Sequence, residues 1–184
     1  MELRRKMMPI GPLMIEHRLI ERMIRQIEIR LAGVGRDPQD DLLFIDRAVD
    51  FIRTYADRCH HGKEEDILFR ALDAKPLTSD QRRIMEELVE EHILGRNTVG
   101  RLVAARNRYA DGDGSALDEV RDALSTIVGF YPKHIAKEDR EFFIPVMEHF
   151  SKEEQDRMLR SGFDFDAGLI HEKYRTLVED LEGG

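Results

Sequence analysis

The chain has no tryptophan, a single cysteine and only 6 prolines in 184 residues. It also has no long apolar run, and no basic run beyond "MELRRK" at residues 1–6. Each shortage excludes something. Cys59 alone cannot form an internal disulfide, which fits a reducing cytoplasm. With no apolar stretch behind the basic first residues, neither a signal peptide nor a membrane span is expected. A net charge of −8 without a Lys/Arg cluster argues against a nucleic-acid partner. No strand-like alternation of apolar and polar residues persists, so sheets are not expected either.

What is present points to helices. Charged residues make up 36% and hydrophobic ones 41%, and apolar positions recur at three- and four-residue steps nearly throughout. That mix reads as a soluble all-α protein. Segments near 9–31, 40–72, 79–110 and 115–150 are expected as long helices, separated by "GVGRDP", "DAKPLTSD" and "DGDGS". Ser79, with Arg82 three positions on, makes half a capping box, and Pro145 should bend the end of the fourth helix. Ser151, three residues before Glu154, opens a shorter fifth segment interrupted at "SGFDFDAG". Four long helices with short connections imply an up-down-up-down bundle over residues 1–150, with residues 151–184 as a helical extension packed on it.

An internal repeat strengthens this reading. "HHGKEEDILF" at 60–69 aligns with "HIAKEDREFF" at 134–143, and "EH" occurs at 16–17 and again at 91–92. His17 and His60 are 43 residues apart, His92 and His134 are 42 apart. One helical hairpin has been used twice.

Angles then select residues. At about 100° per residue, His60 falls in the middle of the stripe formed by Val49, Ala56 and Ile67, and Glu64 lies about 40° from it. His61 falls about 100° away, on the flank, where it and Glu65 read as outer partners. The same arithmetic places His17, His92, His134 and Glu138 on core-facing stripes. At about 1.5 Å per residue, antiparallel hairpins bring all four histidines to one level. Burying unpaired carboxylates costs several kcal/mol each, so the interior needs a cation to receive them. Histidine and carboxylate four residues apart is metal-ligand spacing. Nitrogen and oxygen donors without thiolate suit iron, manganese or zinc, and two carboxylates able to bridge suit a pair of ions. Other features read as structural: His149 near a helix end, His171 without a partner at ligand spacing, Cys59 as packing, and Met14, Met23 and Met85 as core filler. Glu65 and Asp139 read equally well as outer partners or as solvated charges.

The stretches "EHRLIERMI", "CHHGKEEDILF", "EEHILGR" and "HIAKEDREFF" resemble the hemerythrin family, specifically bacterial hemerythrin-like domains with the His-His-Glu cation-binding signature, across about residues 10–150. The resemblance implies two non-haem iron ions inside a four-helix bundle. His17, His60, His92 and His134 would be terminal ligands, Glu64 and Glu138 bridges, and an open position would take dioxygen or a related small molecule. One departure stands out. Oxygen-carrying members have a second histidine four residues after the third-helix one, and here that position is Arg96. The donor set is therefore expected to be four histidines and two carboxylates, which leaves more than one open position or places Arg96 near the ligand face, where it would favour an anion such as peroxide or superoxide.

The expected function is accordingly a di-iron module that binds or senses dioxygen, nitric oxide or iron, without rapid turnover. A di-iron oxidase or peroxidase is the alternative, weakened because ferritin-like enzymes use Glu-x-x-His and this chain has His-x-x-x-Glu. A third reading makes the metal structural in an interaction protein whose partner the residues do not name.

Overall fold

The structure, a computed structural model, describes residues 7–166 and 169–183, with the side chains of residues 169–172 outside the description. His171, expected to be structural, therefore lies outside the described side chains. The described residues form an all-α bundle of four rods plus two further helices. The first rod is α1 (Ile10–Leu31). The second begins as α2 (Pro38–Phe51), continues through π-helical segments π1 (Ile52–His61) and π2 (Glu64–Phe69), and ends as α3 (Arg70–Leu72). The third is α4 (Ser79–Ala110), and the fourth runs through α5 (Ala116–Lys137), π3 (Glu138–Phe142) and α6 (Phe143–Val146). Two helices follow, α7 (Lys152–Phe165) and α8 (Leu169–Gly183).

Local chemistry sets the helix starts. Asp37 accepts from the Gln39 and Asp40 amides, with Pro38 in the first turn. The third rod is capped by Thr78 and not by Ser79: Thr78 and Gln81 form a full capping box, so the half box expected at Ser79–Arg82 belongs one residue earlier. Ser151 and Glu154 form the box at α7. The α1–α2 turn closes at Gly35, whose φ of 100° needs glycine and whose amide donates to Asp41 at 2.7 Å. Pro145 falls in the last turn of the fourth rod, which ends in a single 3₁₀ turn at Met147–His149.

Two apolar clusters fill the bundle. One, toward the α1–α2 and α4–α5 turns, includes Ile24, Phe51, Leu102, Leu124 and Tyr131. The other, toward the opposite end, includes Leu13, Phe69, Leu88, Phe142 and Phe143. On every rod a histidine lies between residues of the two clusters: His17 between Leu13 and Ile20, His92 between Leu88 and Val99. The bundle is thus two greasy layers around one polar layer. α8 packs on α1 and π1, and α7 on π2. No helix among the described residues is long and apolar enough to cross a membrane.

Candidate metal centre

Each rod delivers its polar side chain to that middle layer, all of them buried: His17 from α1, His60, His61 and Glu64 from the second rod, His92 from α4, His134 and Glu138 from the fourth. Their donor atoms fall into two groups, His17–His60–Glu64–Glu138 and His61–His92–His134, with the atoms of each group within 4.8 Å of one another. The glutamates connect the groups. Glu64 lies 3.2 Å from His60 Nε2 with one oxygen and 3.4 Å from His92 Nε2 with the other. Glu138 reaches His17 Nε2 at 3.1 Å with one oxygen and His134 Nε2 at 3.3 Å with the other. None of these approaches has hydrogen-bond geometry. The Nε2 atoms of His17, His60, His92 and His134, and all four glutamate oxygens, are buried without a hydrogen-bond partner. Orphaned buried donors in this number are very costly unless a cation receives them, so the residues fit a metal.

The outward nitrogens are satisfied by carboxylates. His17 Nδ1 pairs with Asp139 at 2.7 Å, His60 with Glu16 at 2.9 Å, His92 with Glu65 at 2.7 Å and His134 with Glu91 at 2.8 Å. A carboxylate on Nδ1 fixes both tautomer and ring orientation, and leaves the Nε2 lone pair facing inward. The sequence left Glu65 and Asp139 undecided; both hold rings. Glu16 and Glu91 were not singled out, although each is the first letter of its repeated "EH". That repetition was the signal.

One expectation is corrected. His61 is not on the flank: it is 2% exposed, its ring stacks on His92 with centroids 3.9 Å apart, and it joins His92 and His134. Two adjacent positions face inward at this level in either hairpin, since the counterparts His134 and Ile135 in the regular α5 are also buried; on the second rod the π-helical backbone of residues 52–61 narrows the angle between His60 and His61 further. The cluster has five histidines, and the one missing on the third helix is made up from the second. Arg96 lies near the ligand face as expected, lining the cleft beside His61, but its guanidinium is already paired: it donates to Asp57 at 2.7 Å and to Glu65 at 2.6 Å, bracing the carboxylate that holds His92. Cys59 turns away from the cluster, its thiol donating to Asp166 at 2.7 Å. His149 bonds Gln81 at 2.9 Å, at the far end of the bundle.

Electrostatics agree with a cation-demanding site. Burial works against a charged His60, yet Glu64 and Glu16 push its pKa up to about 10. His92 is likewise opposed by burial but raised to about 11 by Glu138, Glu64 and Glu65. His61 is held well below its ordinary value, first by burial and then by the neighbouring His92 charge. Against burial, the imidazoles hold Glu64 well below the carboxylate range. In the metal-free protein, protons on imidazole supply the positive charge that two buried carboxylates require.

Fold and donor set together define a helical-bundle protein that binds a metal cation in its core. The family is shown directly: the model of the hemerythrin HHE cation-binding domain matches residues 8–145, well over half of the chain. The chain belongs to that family. No curated protein and no solved structure gave a match.

Proposed function

We propose that the cluster holds two iron ions and serves to bind or sense a small molecule, dioxygen or nitric oxide, or iron itself, without turning over an organic substrate. The observation that carries this reading is the division of the donors into two groups that share both glutamates. His17 and His60 would hold one ion and His61, His92 and His134 the other, with Glu64 and Glu138 between them. Nitrogen and oxygen donors with the thiol turned away suit iron. Iron so held would supply a redox-active centre, and the two-histidine position has fewer protein donors.

The chain's own residues do the rest. Glu65, Asp139, Glu16 and Glu91 hold the rings in register, and the apolar layers above and below exclude water. A cleft with about 370 Å³ of open space, lined in part by Asp57, His61, Gly95, Arg96 and Tyr131, leads to the His61 side. The ion pairs of Arg96 remove the argument for a stabilised peroxide. A cytoplasmic setting without membrane or nucleic-acid partners is part of the proposal, and rests on the lone cysteine and the acidic balance.

Metal analysis of anaerobically purified protein, with ultraviolet–visible spectra of reduced, oxygenated and nitric-oxide-treated samples, tests the reading. The expected result is two irons per chain and near-ultraviolet charge-transfer bands that respond to at least one gas. One zinc and no iron would overturn it. Steady peroxide consumption that vanishes in Glu64→Ala would favour the oxidoreductase reading instead.

A further inference from the structure

Lys63 and Lys137 occupy equivalent places in the repeat, each one residue before its inward glutamate. Each donates to the carboxylate that holds a cluster histidine: Lys63 to Glu16, Lys137 to Glu91 at 2.5 Å. Their second partners differ. Lys137 also reaches Glu87 at 3.1 Å, one turn before Glu91 on α4. Four residues before Glu16, the matching place on α1 is Pro12, which has no side-chain acceptor. There the acceptor comes from outside the four rods. Asp166, at the end of α7, takes a hydrogen bond from Lys63 at 2.5 Å and another from the Cys59 thiol. Lys63 is sealed by this contact, its side chain 4% exposed against 22% for Lys137.

The bundle makes room for the visitor. Where the second hairpin has Ala136, the first has Gly62, and a Cβ there would come within 2.9 Å of the Phe165 ring. Residues 163–166 lie beyond the stretch that matches the family, yet they sit directly over "CHHGK".

We propose that Asp166 is a positioning residue for the metal centre, which makes the C-terminal extension a regulatory part of it. The extension fixes Lys63, Lys63 fixes Glu16, and Glu16 fixes the His60 ring. This rests on reading the cluster as a two-metal site. Coupling of this kind is reciprocal, so a cation drawing on His60 Nε2 also holds the extension down.

The test uses the full chain, with Co2+ as the probe under anaerobic conditions. Wild type, Asp166→Asn and Gly62→Ala are titrated while the visible Co2+ bands are followed, with circular dichroism checking helicity. Deuterium exchange of residues 152–166 is compared with and without Co2+. In each variant one of two Co2+ equivalents weakens by about tenfold with shifted bands, and the other is unchanged. In wild type Co2+ slows exchange in residues 152–166, and Asp166→Asn abolishes that protection. Unchanged affinities and bands in both variants, or wild-type exchange indifferent to Co2+, would overturn the proposal. If a variant loses helicity, the wild-type exchange comparison decides. Wild type that binds no Co2+ would overturn the two-metal reading itself, and the coupling with it.

Discussion

Residues 16–65 and 91–139 carry one ligand pattern on two hairpins, yet the first contributes three histidines and the second two. The shared part is followed closely. His17 pairs with Asp139 as His92 pairs with Glu65, and His60 with Glu16 as His134 with Glu91. The difference lies at His61 and its counterpart Ile135. His61 closes a π-helical segment and crosses into the group of the other hairpin's histidines. Ile135 sits in the regular α5 and packs into the apolar core. A copied hairpin therefore makes a nearly symmetric cage, and the residue type at one shared inward position, histidine against isoleucine, makes its two donor groups unequal.

The comparison can be broken in order of severity. Glu64→Ala removes oxygens that face both groups, so metal content should fall from two ions to below one, read by elemental analysis. His61→Ile copies the second hairpin onto the first. It should weaken one ion by at least about 100-fold and spare the other, seen as two separated phases in a chelator competition.

Protons supply a third test. His60 and His92 are raised from 6.5 to about 10 and about 11. Their contribution to metal-free stability is complete below pH 6.5 and is lost as pH rises through those values. Glu64 and Glu138 are depressed below 4.5, so theirs is present above 4.5 and lost as pH falls through the lowered values. Metal-free protein should melt highest between about pH 4.5 and 6.5 and weaken toward pH 10. Metal-loaded protein, with the cation in place of those protons, should keep its melting temperature over the alkaline range.

Ile135→His sharpens the contrast from the other side. If sequence symmetry sufficed, it would add a sixth histidine to the cage. Packing in the apolar core should instead leave the imidazole unpartnered, costing about 1–3 kcal/mol in denaturant unfolding without added metal. Smallest is Thr78→Ala, remote from the cage: the lost cap should cost about 1 kcal/mol and leave metal content alone.

The rods, the repeat and six of the cluster residues were legible because a regular helix turns by a constant angle, so apolar neighbours report where each histidine points. His61 was not. The 100° rule carried it to the flank, yet the inward face at this level is wide enough for two adjacent residues, as His134 and Ile135 show on the regular α5. Ile135, apolar at the equivalent place, marks that position as inward-facing in both hairpins. For Arg96 the stripe angle gave the right direction, beside His61 in the cleft, but could not show that its guanidinium is taken up by Asp57 and Glu65. The Thr78 cap was missed by one residue because Ser and Thr are adjacent and only Gln81 discriminates between them.

The most direct test of a shared, unequal two-metal cage is the iron content of anaerobically purified wild type measured beside His61→Ala. The proposed two-iron reading predicts two irons per chain in wild type and about one in the variant, with helicity unchanged. Wild type carrying a single ion, or a variant that still holds two, would contradict it.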